Sequence, residues 1–465
     1  MRSASRLLGA ALAIGVAVRV AFLVFPATPL RSKAVDSVPD AAEYVQLAEN
    51  LARHHVFSRD SVPPYRPELF RTPAYPLLVA PLFAAFSSPL LACVLLQLVL
   101  SLAAVWACYR LAVETGLERI QASVSALLVA ASPNVAFLST KLITEPLFTV
   151  LLLFCLILLN RYRLSRRPVD LIGAGVGTGL MILTRPIATY FPALVALYVL
   201  YLKLRDRRVS LWMPLVPLAC ASIVVMPWVV RNGRATGRYI VSTAAEHNLY
   251  LYNAAAIVAA DKGVTLVKAR DSMFREAQAR FASLDSTDEA SFWQDLSKVA
   301  WQHVAGRPWL ALETSAIGFL GSFVLPISVR PLLVHSGAGT NPDYGPNPHV
   351  AQEAVRLLAR GHVASSVRLV WHERLENVPG FVLGALLAAS LFQVLLMASA
   401  VVGLLVRRSR GLLWLLLPIL YFTLTTGPLG DARFRAPVEP LLAVLAAAGL
   451  AALSSRGSMP AAGRK

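Results

Sequence analysis

The sequence predicts an all-α polytopic membrane protein, and three observations carry the prediction. Hydrophobic residues make up 56% of the 465 and charged residues only 15%, with a mean hydropathy of +0.60. Apolar runs of roughly 17–25 residues, the length that crosses a bilayer core, recur from end to end. The net charge of +18 is gathered in short arginine-rich clusters between those runs. There it marks topology and meets anionic headgroups, which argues against nucleic acid as a partner and for membrane lipids. A membrane β-barrel would show short alternating strands instead.

Taken in order, the first span covers about 7–26. Arg2 and Arg6 hold its start in the cytoplasm, and the further spans make it an uncleaved first helix rather than a signal peptide. Arg19 interrupts it and must snorkel or face a polar cavity. An outer stretch, 27–76, is too polar to cross a membrane. Within it Tyr44, Leu47, Ala48 and Leu51 line one face of a short helix at i, i+3, i+4, i+7 spacing, with Glu43, Gln46, Glu49, Asn50 and Arg53 opposite. The segment RTPAYPLLVAPLFAAF then predicts a second surface or re-entrant helix. Spans follow at about 89–112, 122–133, 146–159, 171–183, 187–201 and 211–230. The basic runs RYRLSRR and LKLRDRR all fall on the inner side of that scheme.

An outer region, 231–378, contains two soluble helices, KARDSMFREAQARF and SFWQDLSKVAWQHV. Residues 309–327 are apolar but are read as interfacial or re-entrant. The span 381–406 ends at the inner signal RRSR, so the chain must still be outside before it. The alternative is that 309–327 crosses and 350–376 helps the chain return. Spans at about 412–424 and 438–453 flank the last outer loop, GPLGDARFRAP, and the tail RGSMPAAGRK is cytoplasmic. No internal repeat appears. The whole of 1–465 reads as one integral module with about 10–11 transmembrane helices: a first outer loop at 27–76, the outer region 231–378 and C-terminal helices in 379–465. Cys93, Cys108, Cys155 and Cys220 all lie in apolar runs without metal-ligand spacing, and are read as small buried residues.

The conspicuous polar residues collect on the outer side. They are Asp36 and Asp40, Lys141 and Glu145, Arg185, Arg231 and Asn232, and Asp431, Arg433 and Arg435. A carboxylate beside several arginines at a membrane surface suits an anionic lipid headgroup together with a second substrate, since arginine grips phosphate by paired, charge-assisted hydrogen bonds. Blander readings compete. Asp40 and Glu43 have capping-box spacing, and Glu145 before Pro146 suits a helix N-terminus. Arg185 and Arg231 could be interfacial anchors. Arg433 and Arg435 alternate around Phe434, so an extended loop would point both the same way. His54 and His55 lack a third metal ligand.

The ordered set PDAAEYVQLAENL, RTPAYP, LITEPLF, LTRP, PWVVRN and ARFRAPVEP, running over nearly the whole chain, resembles the bacterial GT-C glycosyltransferases. The nearest by pattern are the family-39 protein mannosyltransferases and the lipid A aminoarabinose transferases. One departure is Ala74, where relatives often carry glycine. The resemblance implies a GT-C-type fold with outer-face amphipathic helices. It implies a polyprenyl-phosphate-linked sugar as donor and a lipid, protein or glycan hydroxyl as acceptor. It makes Asp40 the catalytic base, with Asp36 competing for that role and Glu145 as a second acidic residue. Arg231, Arg433, Arg435, Arg185 and Lys141 become donor-phosphate ligands, and Tyr44, Tyr75, Asn232 and His247 candidate substrate contacts. Some relatives use a divalent metal ion near the outer carboxylates, and Asp36, Asp40 and Glu145 leave that question open. The implied location is a bacterial inner or plasma membrane, with both termini cytoplasmic and the site on the outer face. The alternative is a polytopic transporter or lipid flippase. Transporters, however, place their ionisable residues at mid-membrane, often in repeated halves.

Overall fold

The structure is a computed structural model and describes residues 2–206, 208–281, 289–327, 329–336, 348–372, 378–406 and 410–457. Among these no strand occurs. The helices are α1 (Arg2–Val24), α2 (Pro39–His54), α3 (Ala74–Ala85), α4 (Pro89–Glu114), α5 (Arg119–Ala131), α6 (Pro133–Leu138), α7 (Glu145–Ser165) and α8 (Pro168–Thr184). They continue as α9 (Phe191–Arg205), α10 (Leu215–Thr236), α11 (Ala244–Asn248), α12 (Ala255–Lys262), α13 (Leu266–Phe281), α14 (Glu289–Gly306), α15 (Pro308–Val324) and α16 (Val329–His335). The last are α17 (Pro348–Ala359), α18 (Val363–Val370), α19 (Gly380–Val406), α20 (Arg410–Leu413), α21 (Leu416–Leu424), α22 (Ala432–Arg435) and α23 (Glu439–Gly457).

Among the described residues, seven helical stretches are long and apolar enough to cross a membrane: Ser3–Val24, Pro89–Glu114, Glu145–Ser165, Pro186–Arg205, Leu215–Thr236, Gly380–Val406 and Ala432–Ser454. Shorter apolar helices add Ala74–Ala85, Arg119–Ala131, Pro168–Thr184 and Gly411–Leu424. The chain is a multi-pass α-helical membrane protein. Helix α15 has 17 residues and belongs to neither group. The RRS of the inner signal after α19 and the tail beyond 457 lie outside the described residues.

The membrane part is held by close helix contact, because lipid offers no hydrophobic driving force between helices. Helices α19 and α23 meet through Gly403 and Gly449, where an added Cβ would collide with the carbonyl oxygens of Leu445 and Ser399. Gly403→Val is therefore expected to destabilise the protein by about 1–3 kcal/mol, the usual cost of overpacking. Thermal unfolding in detergent checks this, and an unchanged midpoint would show that the two helices separate at little cost.

Arg19 neither snorkels nor faces a cavity. Its guanidinium is buried and donates to Ser101 Oγ at 2.9 Å, to Ala130 O at 3.1 Å and to Gly15 O at 3.0 Å. It thus ties α1, α4 and α5 together. Basic residues gather where α7 ends, α8 begins and α9 ends, and Arg166 pairs with Asp206 across this group at 2.9 Å. Glu145 starts α7 and Arg185 follows α8, so both lie at the opposite end of the bundle. A second layer, Ala244–Gly306, covers that end with its own core of Tyr250, Ala259, Met273, Trp293 and Leu296.

Candidate active site

Five segments separated in sequence converge on one charged cluster. Asp40 sits in the first turn of α2. Val38 is the cap and Pro39 fixes the first position, so Asp40 is two residues too far into the helix to close a capping box. Its carboxylate turns instead to two arginines, Arg71 at 2.7 Å and Arg433 at 2.8 Å. The apolar face expected for this helix is buried at Tyr44, Leu47 and Ala48, joined by Ala41, while Leu51 is half-buried, which fixes the direction in which Asp40 points.

Arg71 is delivered by the loop after α2. Asn50 donates to Ser58 O at 2.7 Å and to Asp60 O at 2.9 Å, folding that loop back on the helix. The Glu68 carboxylate then accepts from the backbone N–H groups of Phe70 and Arg71, at 2.6 and 2.8 Å. The Arg71 guanidinium spans Asp40 and Glu43 (2.6 Å) and lies over the rings of Tyr44 and Phe70, at 5.2 and 4.5 Å. Arg59 pairs with Glu43 and with Glu68.

Glu145, at the first position of α7, is buried and ion-paired to both Arg185 and Arg433. Arg433 therefore bridges Asp40 and Glu145. It projects from α22, whose start is capped by Asp431 accepting from the Arg433 N–H at 2.8 Å. The opposed charges set the protonation of the cluster. Burial alone would raise the Asp40 pKa, but the guanidinium groups of Arg433 and Arg71 outweigh it and hold the carboxyl well below the usual carboxylate range. Burial by itself would lower the Arg71 pKa. The carboxylates of Asp40 and Glu43 reverse that, and it stays cationic.

Not every candidate joins this cluster. Asp36 closes a π-helical turn, is half-exposed and pairs with Arg31 at 3.6 Å. Arg435 turns away from Arg433 because 432–435 is helical, not extended, and residues two apart on a helix point to opposite sides. It is fully buried and donates to Ser322 O, Leu325 O and Pro326 O at 2.6, 2.7 and 3.2 Å and to Glu439 at 3.2 Å. It is a clamp on the end of α15. Lys141 is buried in a separate group, donating to Lys33 O at 2.6 Å and lying 2.6 Å from His335 Nδ1. Burial, then the Lys33 charge, lowers its pKa well below the usual lysine value.

Arg231 and Asn232 are not in a loop, since α10 continues to Thr236. Arg231 donates to Glu68 O at 2.9 Å and Phe57 O at 3.2 Å, and Asn232 donates to Ile240 O at 2.9 Å. Tyr75 is buried edge-on to Tyr44, and its hydroxyl accepts from Gln97 at 3.0 Å. His247 packs on Phe70 and Trp293 at 4.5 and 4.4 Å, one ring away from Arg71. Burial and nearby arginines push its pKa down to about 4, so it is neutral at physiological pH.

Replacing Arg435 with glutamine separates the two readings of that residue. Arg435→Gln is expected to cost about 3–5 kcal/mol of stability, because Glu439 is left buried without its charge partner. Anion binding by the folded fraction should stay within about threefold of wild type, as expected for a residue outside the site. Loss of binding at unchanged stability would return Arg435 to the site.

Arg71, Glu43 and Arg59 belong to the cluster although none was named as a site residue from the sequence. The signal for Arg71 was present, since it opens the RTPAYP segment. The site's fit to a divalent ion is poor. Among the described residues no three His, Cys, Asp or Glu side chains come together as ligands, Asp36 stands apart, and Asp40 and Glu145 are joined through a guanidinium.

A cavity of about 580 Å³ lies between the loop 56–67 and helices α2, α3, α8 and α10. Leu51, Phe57, Leu77, Leu183 and Trp228 give it apolar walls, with Arg231 at its edge. Neither Asp40 nor Arg433 lines it.

Residues 70–230 match the model of the family described as dolichyl-phosphate-mannose-protein mannosyltransferase. That segment carries Arg71, Lys141, Glu145 and Arg185 but neither Asp40 nor Arg433. Among solved structures, the chain is similar to the Archaeoglobus fulgidus oligosaccharyltransferase in the apo form, at 14% identity and TM-score 0.51, over 97% of this chain and 51% of that one. It is also similar to archaeal oligosaccharyltransferase AglB from Archaeoglobus fulgidus in complex with an inhibitory peptide and a dolichol-phosphate, at 15% identity and TM-score 0.51, over 99% and 52%. The chain spans about half the length of those proteins, and at this identity the likeness is one of fold. The comparison with curated proteins gives no match. The resemblance to GT-C enzymes read from the sequence is borne out, and so is the GT-C-type fold.

Proposed function

We propose that this chain is an inverting glycosyltransferase, moving a sugar from a polyprenyl-phosphate carrier to an acceptor hydroxyl at the outer face of a bacterial inner membrane. The observation that carries the proposal is Arg433 bridging Asp40 and Glu145. A potential base and a potential phosphate ligand thereby share one site, at the end of the bundle away from the basic clusters. The mannosyltransferase family match over 70–230 supports the reaction class.

In this reading the donor phosphate is taken by Arg433, with Arg71 and Arg185 behind it. Asp40 accepts the proton of the acceptor hydroxyl as that oxygen bonds to the anomeric carbon. The bond from that carbon to the phosphate oxygen breaks in the same step, and its electron pair leaves with the phosphate. The charge gathering on the leaving oxygen meets guanidinium groups already fixed by Glu145 and Glu43, so little reorganisation is needed at the moment of reaction. The phosphate is a good leaving group and needs no general acid. The carrier's isoprenoid chain suits the apolar cavity, whose walls include α10, long and apolar enough to cross a membrane, and the shorter apolar helices α3 and α8. His247, neutral and beside Phe70, is placed for acceptor contact.

The test is sugar release from a panel of polyprenyl-phosphate sugars by the purified protein, with a membrane extract supplying acceptors. Release that depends on Asp40 supports the proposal. Carrier translocation across a vesicle bilayer without release would favour a flippase instead.

A further inference from the structure

Helices α17 and α18 form a hairpin whose two faces differ. One face is buried through Val350, Ala354 and Ser366, and Ser366 Oγ donates to Ala354 O at 3.0 Å, holding the pair together. The other face is exposed among the described residues. Val363, Val367 and Trp371 are 57%, 60% and 43% exposed, and their i, i+4, i+8 spacing makes them one stripe along α18. Val355 and Leu358 of α17 are exposed as well. The charge on the hairpin is one-sided, with Arg356, Arg360 and Arg368 against a single acid, Glu353.

We infer that this hairpin docks on the anionic surface of the bilayer, sinking the Val363–Val367–Trp371 stripe into the acyl boundary while its arginines meet acidic headgroups. Three features favour a lipid surface over a protein partner. The hairpin leads directly into α19, a membrane-crossing helix starting at Gly380. Eight residue steps from His372 to Gly380 allow a separation of at most about 28 Å, so the hairpin cannot stand far from the membrane. Second, Arg356 lies 3.7 Å from Glu313 of α15. That helix carries its own exposed stripe of Trp309, Leu312, Leu320 and Val324, so the apolar surface continues from one element to the next. Third, a stripe of valines and a tryptophan bordered by arginine is the composition of helices lying in the interface plane. Each arginine near an acidic leaflet contributes about 1 kcal/mol.

The experiment places a bimane label at V363C, and in a second variant at S365C on the opposite side of α18, in the full-length protein. The four native cysteines are buried or half-buried. Each is reconstituted in vesicles of phosphatidylcholine alone or with phosphatidylglycerol, with acyl chains brominated as contact quenchers. The expected result is at least about twofold quenching at 363 and little at 365, as for a side chain sunk roughly 5–10 Å below the headgroups. Quenching at 363 should rise with phosphatidylglycerol, and R360E/R368E should abolish that rise. Equal quenching at both positions would overturn the inference, as would quenching indifferent to lipid charge. Shielding without quenching that grows with protein density would make the face a contact between copies, and would overturn it too. None of these outcomes depends on glycosyl transfer.

Discussion

Asp40→Asn is expected to lower glycosyl transfer by about 10²–10⁴-fold, the usual contribution of a general base, while tightening the binding of the carrier phosphate. The second half follows from the ion pairs. In the resting site Arg433 is shared between Asp40 and Glu145, and Arg71 between Asp40 and Glu43. An incoming phosphate competes with Asp40 for both guanidinium groups. Removing the Asp40 charge relieves that competition, and a gain of roughly tenfold, or about 1.4 kcal/mol, is expected. Calorimetric titration with a sugar-free polyprenyl phosphate measures it. Weaker binding by the Asn variant, or retained turnover, would remove Asp40 from its role. Asp36→Asn is the control, because Asp36 pairs only with the exposed Arg31 among the ion pairs of the described residues.

The same pairs set a pH dependence. The Asp40 pKa is depressed in the folded state, so its pairs contribute stability above the unfolded carboxylate value of about 3.9, and that contribution is lost as the pH falls further. The Asp40 contribution to the unfolding midpoint should be flat from about pH 8 to pH 5 and fall below about pH 4, a fall that Asp40→Asn makes less steep. His247 adds a decline of its own: its folded pKa of about 4 lies below the unfolded imidazole value of about 6.5, so the unfolded chain takes up the proton first and stability falls as the pH drops from about 6.5 towards 4.

The membrane class, the apolar face of α2 and the grouping of Asp40 with Glu145, Arg185 and Arg433 were all legible in the sequence. Each follows from local pattern or from polar residues recurring at one end of successive spans. What was not legible was the conformation of short connections. Whether Arg435 joins Arg433 depends on four residues being helical rather than extended, and no periodicity can be read over four residues. Arg231 was misplaced for a related reason. The sequence predicts a span ending at about 230, yet α10 holds Pro227 inside it and runs on to Thr236. A proline in a membrane-crossing helix is tolerated when neighbouring groups satisfy the freed carbonyl. Lys141 went astray because burial without a carboxylate partner cannot be seen in a one-dimensional pattern.

Arg433→Ala should reduce both binding and turnover, because it removes the one cation that touches both carboxylates. Loss of a bidentate phosphate ligand in a partly desolvated site is expected to cost about 10²–10³-fold in turnover. The stability cost should be smaller than for an orphaned buried charge, about 1–3 kcal/mol, since Glu145 keeps Arg185 and Asp40 keeps Arg71. Arg433→Lys keeps the charge but not the fork that reaches two carboxylates at once, so it should recover stability more than turnover. The double variant Arg433→Ala/Glu145→Gln separates structure from chemistry. Neutralising Glu145 should restore only part of the stability lost with Arg433, because the two groups are coupled but Arg185 then loses its own carboxylate partner. It should restore none of the turnover, because no phosphate ligand returns. Unfolding midpoints and single-turnover sugar release on the four proteins measure the two quantities independently. If turnover recovered together with stability, Arg433 would be a structural bridge between α2, α7 and α22, and the donor phosphate would have to be held by Arg71 and Arg185 alone.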